Sequence, residues 1–381
     1  MRTDGGLAPF RADVRAFADR EIASRLPEWE EQALLPRDAF QLFAGAGLLG
    51  LHVPRALGGT ERSYKAAAIV AEELGRIGAI GPCTSLFAIA GVVCPLLVAS
   101  GSAAQHARLL APIVGGTTIA SIGITEPTGG SDLANAIQTT ARRTGRDRWT
   151  LDGEKLFITN APIADVLLVL ARTRPGIGLL GMTLFAVPAT AVGLTATWLD
   201  TLGLRSSPTG RVRLRDCSVP GSAVVGRVDR GYPPVATMLQ RERLLAVVAG
   251  LALARSCIDA TGATASGDAW RRASRTHGIG RLLAEVEAGR AYAWALVDEV
   301  DGGTVDVSRI ALAKATLGDL VRRATIVCHR LGTGHATMIE RGVLDARAIS
   351  VFAGSSEMMR DVASARLLST VPRARAVEGV R

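Results

Sequence analysis

Residues 125–132 (TEPTGGSD) form a polar, glycine-containing segment directly after residues 119–124 (IASIGI), which alternate small and β-branched side chains. The alternation predicts a β-strand, and the two consecutive glycines predict a tight turn at its end. Ser131 and Asp132 add a hydroxyl and a turn-capping carboxylate. Because such a turn can present N–H groups and a hydroxyl to an anionic or polar ring, the segment predicts a ligand-binding site.

Two further segments accompany this turn, residues 153–160 (GEKLFITN) and residues 352–357 (FAGSSE). In order and approximate spacing, the three segments resemble those of the acyl-CoA dehydrogenase family of flavoproteins. Residues 47–54 (GLLGLHVP) are similar to part of the N-terminal domain of the same family. The resemblance implies an α+β fold with an N-terminal helical domain, a central β-barrel domain and a C-terminal four-helix bundle.

The hydrophobic pattern along the chain agrees with this order of domains. Apolar residues recur at helical spacing in the first and last parts of the chain. The middle part has short apolar runs separated by Gly, Pro and Asp. The predicted helices are 14–22, 66–77, 239–254, 280–300 and 305–329, and the predicted strands are 119–124, 149–151, 166–170, 182–187 and 211–214. We therefore expect an all-α domain at 1–118, a flavin-binding β-domain at 119–228 and a helical bundle at 229–381.

The resemblance also implies FAD as cofactor and assigns its contacts. Ile124 and Thr125 hydrogen-bond the pyrimidine side of the flavin, Ser131 contacts the pyrophosphate, and Thr159 lies near flavin N5. Phe157 covers the edge of the ring in place of the usual tryptophan, and Glu126 is structural. The complete set of predicted cofactor contacts is Ile124, Thr125, Ser131, Phe157, Thr159, Gly332, Ser355 and Glu357.

The residue that the family uses as its catalytic base is missing. Desaturation of an acyl thioester needs a base for the α-proton, a hydride acceptor and a donor that polarises the carbonyl group. The family glutamate precedes the glycine of the third segment, and here that position is Ala353. The backbone N–H of Ala353 is still available to polarise the carbonyl group, but the side chain offers no base.

A second carboxylate is a candidate replacement. Residues 240–244 (QRERL) match the place where some relatives, including isovaleryl and long-chain enzymes, carry a base on another helix. Glu242 is then the candidate base, and Arg243, Gly354 and Ser131 are predicted to line the substrate site. The alternative for Glu242 is a simple ion pair with the flanking arginines.

Composition limits the choice of partners. The net charge of +9 favours an anionic partner such as the phosphates of coenzyme A or an acidic carrier protein, although a GC-rich genome also explains the arginine bias. Only 4% of residues are aromatic and no recognition motif is present, so nucleic acid fits poorly. The five scattered cysteines and five histidines predict buried thiols and no metal site.

The apolar stretch 86–99, interrupted by Pro95, predicts a short buried helix, and no apolar run is expected to reach the length of a membrane span. The N-terminus carries no signal core, so we expect a cytoplasmic protein.

Three functions remain open at this point. The first is an EC 1.3 dehydrogenase that passes electrons to a flavoprotein or to oxygen; the second is a flavin monooxygenase on the same fold; the third is a non-catalytic homologue. Residues 258–277 lack the family's Arg-x-x-Phe-Gly segment, with Trp270 as a possible substitute for its phenylalanine. A homodimer or homotetramer with weakened FAD retention is therefore expected.

Overall fold

The structure is a computed structural model that describes residues 6–130, 136–264, 278–331 and 336–370. Ser131, Trp270 and Gly332 lie outside the described residues, so the predictions for these three residues are not considered further.

The N-terminal part is helical throughout. Helix α1 (Leu7–Phe17) continues as a π-helical turn, and α4 (Tyr64–Arg76) is buried along most of its length. The other helices of this part are α2 (Leu26–Gln32), α3 (Arg37–Gly45), α5 (Ile80–Phe87), α6 (Cys94–Ser100), α7 (Ala103–Gln105) and α8 (Ala111–Val114). The helix predicted at 66–77 is confirmed within two residues, and the one predicted at 14–22 ends at Ile22 as expected but begins seven residues earlier, at Leu7.

The apolar stretch around Pro95 is longer than the sequence suggested. Helices α5 and α6 are joined by the π-helical turn Ala88–Val93, and Pro95 occupies the first turn of α6, where the missing N–H is tolerated. By length and composition Ile80–Ser100 and Tyr232–Gly262 could each cross a membrane, which corrects the expected limit on apolar runs. In each of them 72% of the most apolar window is buried inside the fold, as in a core helix.

The middle part is one mixed sheet of eight strands. The strands are β1 (Ala120–Gly123), β2 (Thr140–Gly145), β3 (Arg148–Thr159), β4 (Val166–Arg172), β5 (Met182–Pro188), β6 (Leu194–Trp198), β7 (Thr209–Pro220) and β8 (Val224–Val225). Their order is β6-β7-β3-β2-β4-β5-β8, and β1 pairs in parallel with β4. All five predicted strands are present. The pattern missed β2 because its side chains are almost all exposed.

The C-terminal part consists of long helices, α9 (Tyr232–Thr264), α10 (Ile279–Asp301), α11 (Val307–Arg330), α12 (Ala336–Ile349) and α13 (Ser356–Thr370). Helix α9 packs against α4 of the first part and against α11. The predicted order of helical, β and helical domains is confirmed. The packing places the first half of α9 beside the segment that connects α12 to α13.

Candidate active site

The first sequence motif is fixed by a buried ion pair. Glu126 Oε1 accepts a hydrogen bond from Lys155 Nζ at 2.7 Å, and its carboxylate also accepts the N–H groups of Gln138 and Thr139. Burial works against ionisation of Glu126, but Lys155 and these hydrogen bonds outweigh it and lower the pKa of the carboxyl group. These contacts support a structural role for Glu126, since every one of them holds the turn after β1.

Thr125 follows β1 and lies opposite Leu156, whereas Thr159 ends β3 and lies opposite Ser121. The carbonyl oxygen of Thr125 accepts the N–H of Leu156 at 2.9 Å, and that of Thr159 accepts the hydroxyl of Ser121 at 2.6 Å. Both threonine side chains are partly exposed. In the part of the chain that the structure describes, neither hydroxyl has a hydrogen-bond partner, so both are free to meet a ligand.

Phe157 completes this surface. Its side chain is 62% exposed, and its backbone has a φ of 58°, a left-handed conformation that is rare for an aromatic residue. Phe157 lies in β3 where the pairing with β7 is irregular, and its exposed ring can meet an apolar ligand edge. Ile124 is buried, and its carbonyl oxygen already accepts from Lys155 Nζ at 3.2 Å.

The arrangement fits a flat ring with a polar edge, as in FAD. Two hydroxyls without a described hydrogen-bond partner and an exposed aromatic side chain are available to such a ring, and the turn at Gly130 is packed closely on Thr125. A Cβ atom at Gly130 would lie 2.8 Å from Thr125 Cγ2, so only glycine permits this approach. Ile124, Thr125, Phe157 and Thr159 thus lie on the adjoining segments after β1 and along β3, and their role in binding FAD stays a prediction.

Ser355 and Glu357 lie elsewhere, at the start of α13. Ser355 Oγ accepts the N–H of Met358 at 3.3 Å and caps the helix. The exposed Glu357 carboxyl accepts hydrogen bonds from the backbone N–H of Glu357 and from the Ser355 hydroxyl. These hydrogen bonds hold the pKa of the Glu357 carboxyl below its usual value. Both residues thus have a local role, and their predicted contact with the cofactor remains untested.

Glu242 lies in the first half of α9 and is partly buried. Burial raises the pKa of the Glu242 carboxyl to about 7, although the charges of Arg243 and Lys314 oppose the shift. Neither carboxylate oxygen has a hydrogen bond or ion-pair contact with any described residue. The alternative of a simple ion pair with a flanking arginine is therefore not supported by a direct contact.

Arg243 and Gly354 meet at the turn that follows α12. Arg243 Nε donates to the carbonyl oxygen of Ala353 at 2.6 Å. Ala353 itself has a φ of 54° and Gly354 a φ of 105°. A Cβ atom at Gly354 would lie 2.6 Å from Met359 Cε, so this position requires glycine. Glu242, Arg243, Ala353 and Gly354 are therefore grouped at one place, as the sequence predicted.

The sequence did not point to Lys314, which contacts the same turn from α11. This fully buried side chain donates from Nζ to the carbonyl oxygens of Ile349 at 2.5 Å and Gly354 at 3.3 Å. The ammonium also lies 5.6 Å from the centre of the Phe352 ring. One signal was available: the chain has only three lysines, Lys65, Lys155 and Lys314, and two of them are fully buried.

Comparison with known proteins agrees with this geometry. Three family models match the chain: the N-terminal domain of acyl-CoA dehydrogenase at 8–117, the middle domain at 121–217 and the C-terminal domain at 229–368. The chain belongs to the acyl-CoA dehydrogenase family. The domain boundaries expected at 118 and 228 stay a prediction, because the matched ranges do not fix where one domain ends and the next begins.

Relatives resemble this acyl-CoA dehydrogenase family member over nearly its whole length. A cyclohex-1-ene-1-carbonyl-CoA dehydrogenase from Geobacter metallireducens is 30% identical, with 93% of this chain and 96% of the relative covered. The long-chain specific acyl-CoA dehydrogenase of Sus scrofa is 27% identical, with 93% and 84% covered. The structure of a glutaryl-CoA dehydrogenase from Mycobacterium smegmatis in complex with FADH2 is 25% identical, with a TM-score of 0.88 and coverage of 96% and 95%.

Proposed function

We propose that this protein is an FAD-dependent oxidoreductase of the EC 1.3 class that forms a double bond between Cα and Cβ of an acyl thioester. The observation that carries the proposal is Glu242, an accessible carboxyl without a direct partner among the described residues, whose pKa is raised to about 7 beside the Ala353 turn. A general base works best when its pKa lies near the working pH. Membership of the family and relatives that act on CoA thioesters support the same activity.

The residues divide the reaction between them. Glu242 takes the α-proton, and the electron pair of the broken Cα–H bond moves toward the thioester carbonyl group. The backbone N–H of Ala353 donates to the carbonyl oxygen, where negative charge develops. The hydride that leaves Cβ is accepted by FAD, which is the chemistry that the cofactor supplies when bound. Thr125 and Thr159 hold the ring edge, and Phe157 shields it from water.

The partners follow from charge and family. The thioester is carried by coenzyme A or by an acidic carrier protein, since both are anionic and the chain has a net charge of +9. The electrons pass from FAD to an electron-transfer flavoprotein or to oxygen. We propose a cytoplasmic homodimer or homotetramer in which the long C-terminal helices form the interface.

Anaerobic mixing with a panel of acyl thioesters tests the activity. Each acyl chain is presented once on coenzyme A and once on a carrier protein, and loss of the oxidised-flavin absorbance is recorded. We expect at least one thioester to reduce the flavin in a single turnover. If none does while FAD is bound at full occupancy, the dehydrogenase proposal is wrong.

One observation favours a second function. The flavin monooxygenases on this fold also lack the family glutamate, as this chain does at Ala353. Against this, the TEPTGGSD segment, which such enzymes usually lose, is complete. Oxygen consumption by the nicotinamide-reduced flavoprotein, with hydroxylation of a substrate that is not a thioester, would support the monooxygenase instead.

A further inference from the structure

Two cations hold the short turn that carries the Ala353 N–H. Arg243 binds the carbonyl oxygen of Ala353, and Lys314 binds those of Ile349 and Gly354. The two contacts come from different helices, α9 and α11, so the turn is fixed from two sides. They constrain the backbone on either side of Ala353, which is already in a left-handed conformation.

Lys314 is an unusual side chain for such a structural task. Burial of an ammonium group is costly, and a methionine of similar volume would fill the same space without that penalty. Burial, together with repulsion from Arg243, lowers the pKa of Lys314 to about 8, while Glu242 and Asp319 oppose the shift. A charge kept under these conditions points to an electrostatic role as well as a packing role.

The charges of the cluster match the charge changes of the reaction. With Glu242 ionised, the charges of Glu242, Arg243 and Lys314 sum to −1 + 1 + 1 = +1. When Glu242 takes up the α-proton, the cluster becomes +2 while negative charge develops on the thioester oxygen. The extra positive charge therefore arises at the moment when it stabilises the product of proton removal.

We infer that Lys314 is a positioning residue that holds the Ala353 turn and, through its charge, keeps Glu242 ionised for removal of the α-proton. The inference rests on the proposed function. The charges of Arg243 and Lys314 act on Glu242, that of Tyr232 acts on Arg243, and that of Asp319 acts on Lys314. Lys314 and Asp319 lie on α11, so replacing either leaves α9 unchanged, and of these two only Lys314 acts on Glu242 itself.

Two variants separate the two parts of the role. Lys314→Gln keeps N–H donors for the carbonyl oxygens but removes the charge, whereas Lys314→Met removes both. Lys65→Met is the matched control, because Lys65 lies on the surface in an ion pair with Asp298. Unfolding temperature and FAD content are measured for each variant, so that a loss of folding is recognised.

The main readout is exchange of the α-proton in deuterated buffer, measured by NMR with a thioester that has sulfur in place of Cβ. Such a compound has no β-hydride to transfer, so exchange reports on the base alone. We expect both Lys314 variants to raise the apparent pKa of exchange by about one unit or more, since a nearby opposite charge lowers the pKa of a carboxyl group by about 1–3 units and its removal reverses the shift. At pH 7 the exchange rate should then fall about fivefold or more, because a rise of one unit from about 7 lowers the ionised fraction of Glu242 by about that factor.

A second readout keeps this inference apart from the proposed function. The carboxyl stretch of Glu242 is followed with pH by infrared difference spectroscopy, with Glu242→Gln as the reference for assignment. A raised Glu242 pKa in Lys314→Gln supports the electrostatic role even if no thioester is turned over. An unchanged Glu242 pKa and exchange profile, with only a lower unfolding temperature, would show that Lys314 is purely structural and overturn the inference.

Discussion

Lys155 Nζ lies 2.7 Å from Glu126 Oε1, and both side chains are buried. Burial lowers the pKa of Lys155 to about 8, against the effect of Glu126. The ammonium also donates to the carbonyl oxygens of Ile124 and Leu170, so it connects the first motif, the second motif and strand β4. The two motifs that resemble flavin-binding segments are thus joined by one buried ion pair.

Removal of the lysine should destabilise the fold. Lys155→Met leaves the Glu126 carboxylate buried without its counter-charge, which typically costs about 3–5 kcal/mol in the free energy of unfolding. Lys65→Met removes a surface ion pair and should cost no more than about 1 kcal/mol. Urea unfolding of the two variants compares them directly. Equal losses in the free energy of unfolding would mean that the buried ion pair stabilises the fold no more than the ion pair of Lys65 does.

Glu242→Gln should remove the base while the cofactor site stays intact. Loss of a positioned general base typically slows the step about 10²–10⁴-fold. We expect the rate of flavin reduction by a reactive thioester to fall within this range, with FAD content unchanged, and Glu340→Gln on the exposed face of α12 to react like the wild type. Stopped-flow absorbance measures all three proteins.

The position of the base can be tested by moving it back. In the double variant Glu242→Gln with Ala353→Glu, the carboxylate returns to the place where the family carries it, on a turn still held by Arg243. Partial recovery of flavin reduction is the expected result. If the single variant Glu242→Gln already reacts at the wild-type rate, the base is neither Glu242 nor a group that depends on it.

The sequence predicted the parts of the fold that have a strong pattern. Runs such as Val166–Arg172 are apolar because both faces of β4 are buried, so the strand is visible in composition alone. Strand β2 was not predicted, because its side chains face solvent and its pairing with β3 and β4 is set by the backbone. The π-helical turn Ala88–Val93 has no sequence signal that distinguishes it from the helices on either side.

The residues of the site also differ in whether the sequence could predict them. Motif residues such as Thr125 and Thr159 could be predicted because a resemblance assigned them. Lys314 could not, since its role depends on the packing of α11 against a turn that follows another helix. Whether Glu242 forms an ion pair was also beyond the sequence, because the neighbouring Arg243 turns toward the carbonyl oxygen of Ala353 instead.

A buried carboxyl far from the motifs should make stability depend on pH. Asp345 on α12 accepts the N–H of Leu204 at 2.7 Å through Oδ1, while Oδ2 is buried without a hydrogen bond in the described ranges. Burial raises the pKa of Asp345 to about 7, and nearby Glu30 adds to the shift. The folded state therefore binds a proton that the unfolded state releases near pH 4.

The sign of this effect follows from linkage. The stability due to the protonated Asp345 is complete below pH 4 and is lost as the pH rises through about 7, by roughly 1.4 kcal/mol for each unit of pKa shift. Asp345→Asn keeps an acceptor for Leu204 and has no charge to bury. Its advantage over the wild type should grow between pH 5 and pH 8 in urea unfolding. Asp361→Asn on the surface is the control, and parallel stability curves for Asp345→Asn and the wild type would contradict the prediction.

The free hydroxyls of Thr125 and Thr159 should contribute to FAD affinity. A typical hydrogen bond contributes about 0.5–1.5 kcal/mol, so Thr125→Val and Thr159→Val should each weaken FAD binding roughly 2- to 10-fold. Thr195→Val on the exposed side of β6 keeps a β-branched residue in a strand and should bind FAD like the wild type. Reconstitution of each apoprotein, followed by flavin fluorescence, gives the dissociation constants of the three variants and the wild type. Since neither threonine hydroxyl has a hydrogen bond with a described residue, unchanged affinity in both variants would mean that neither hydroxyl binds FAD.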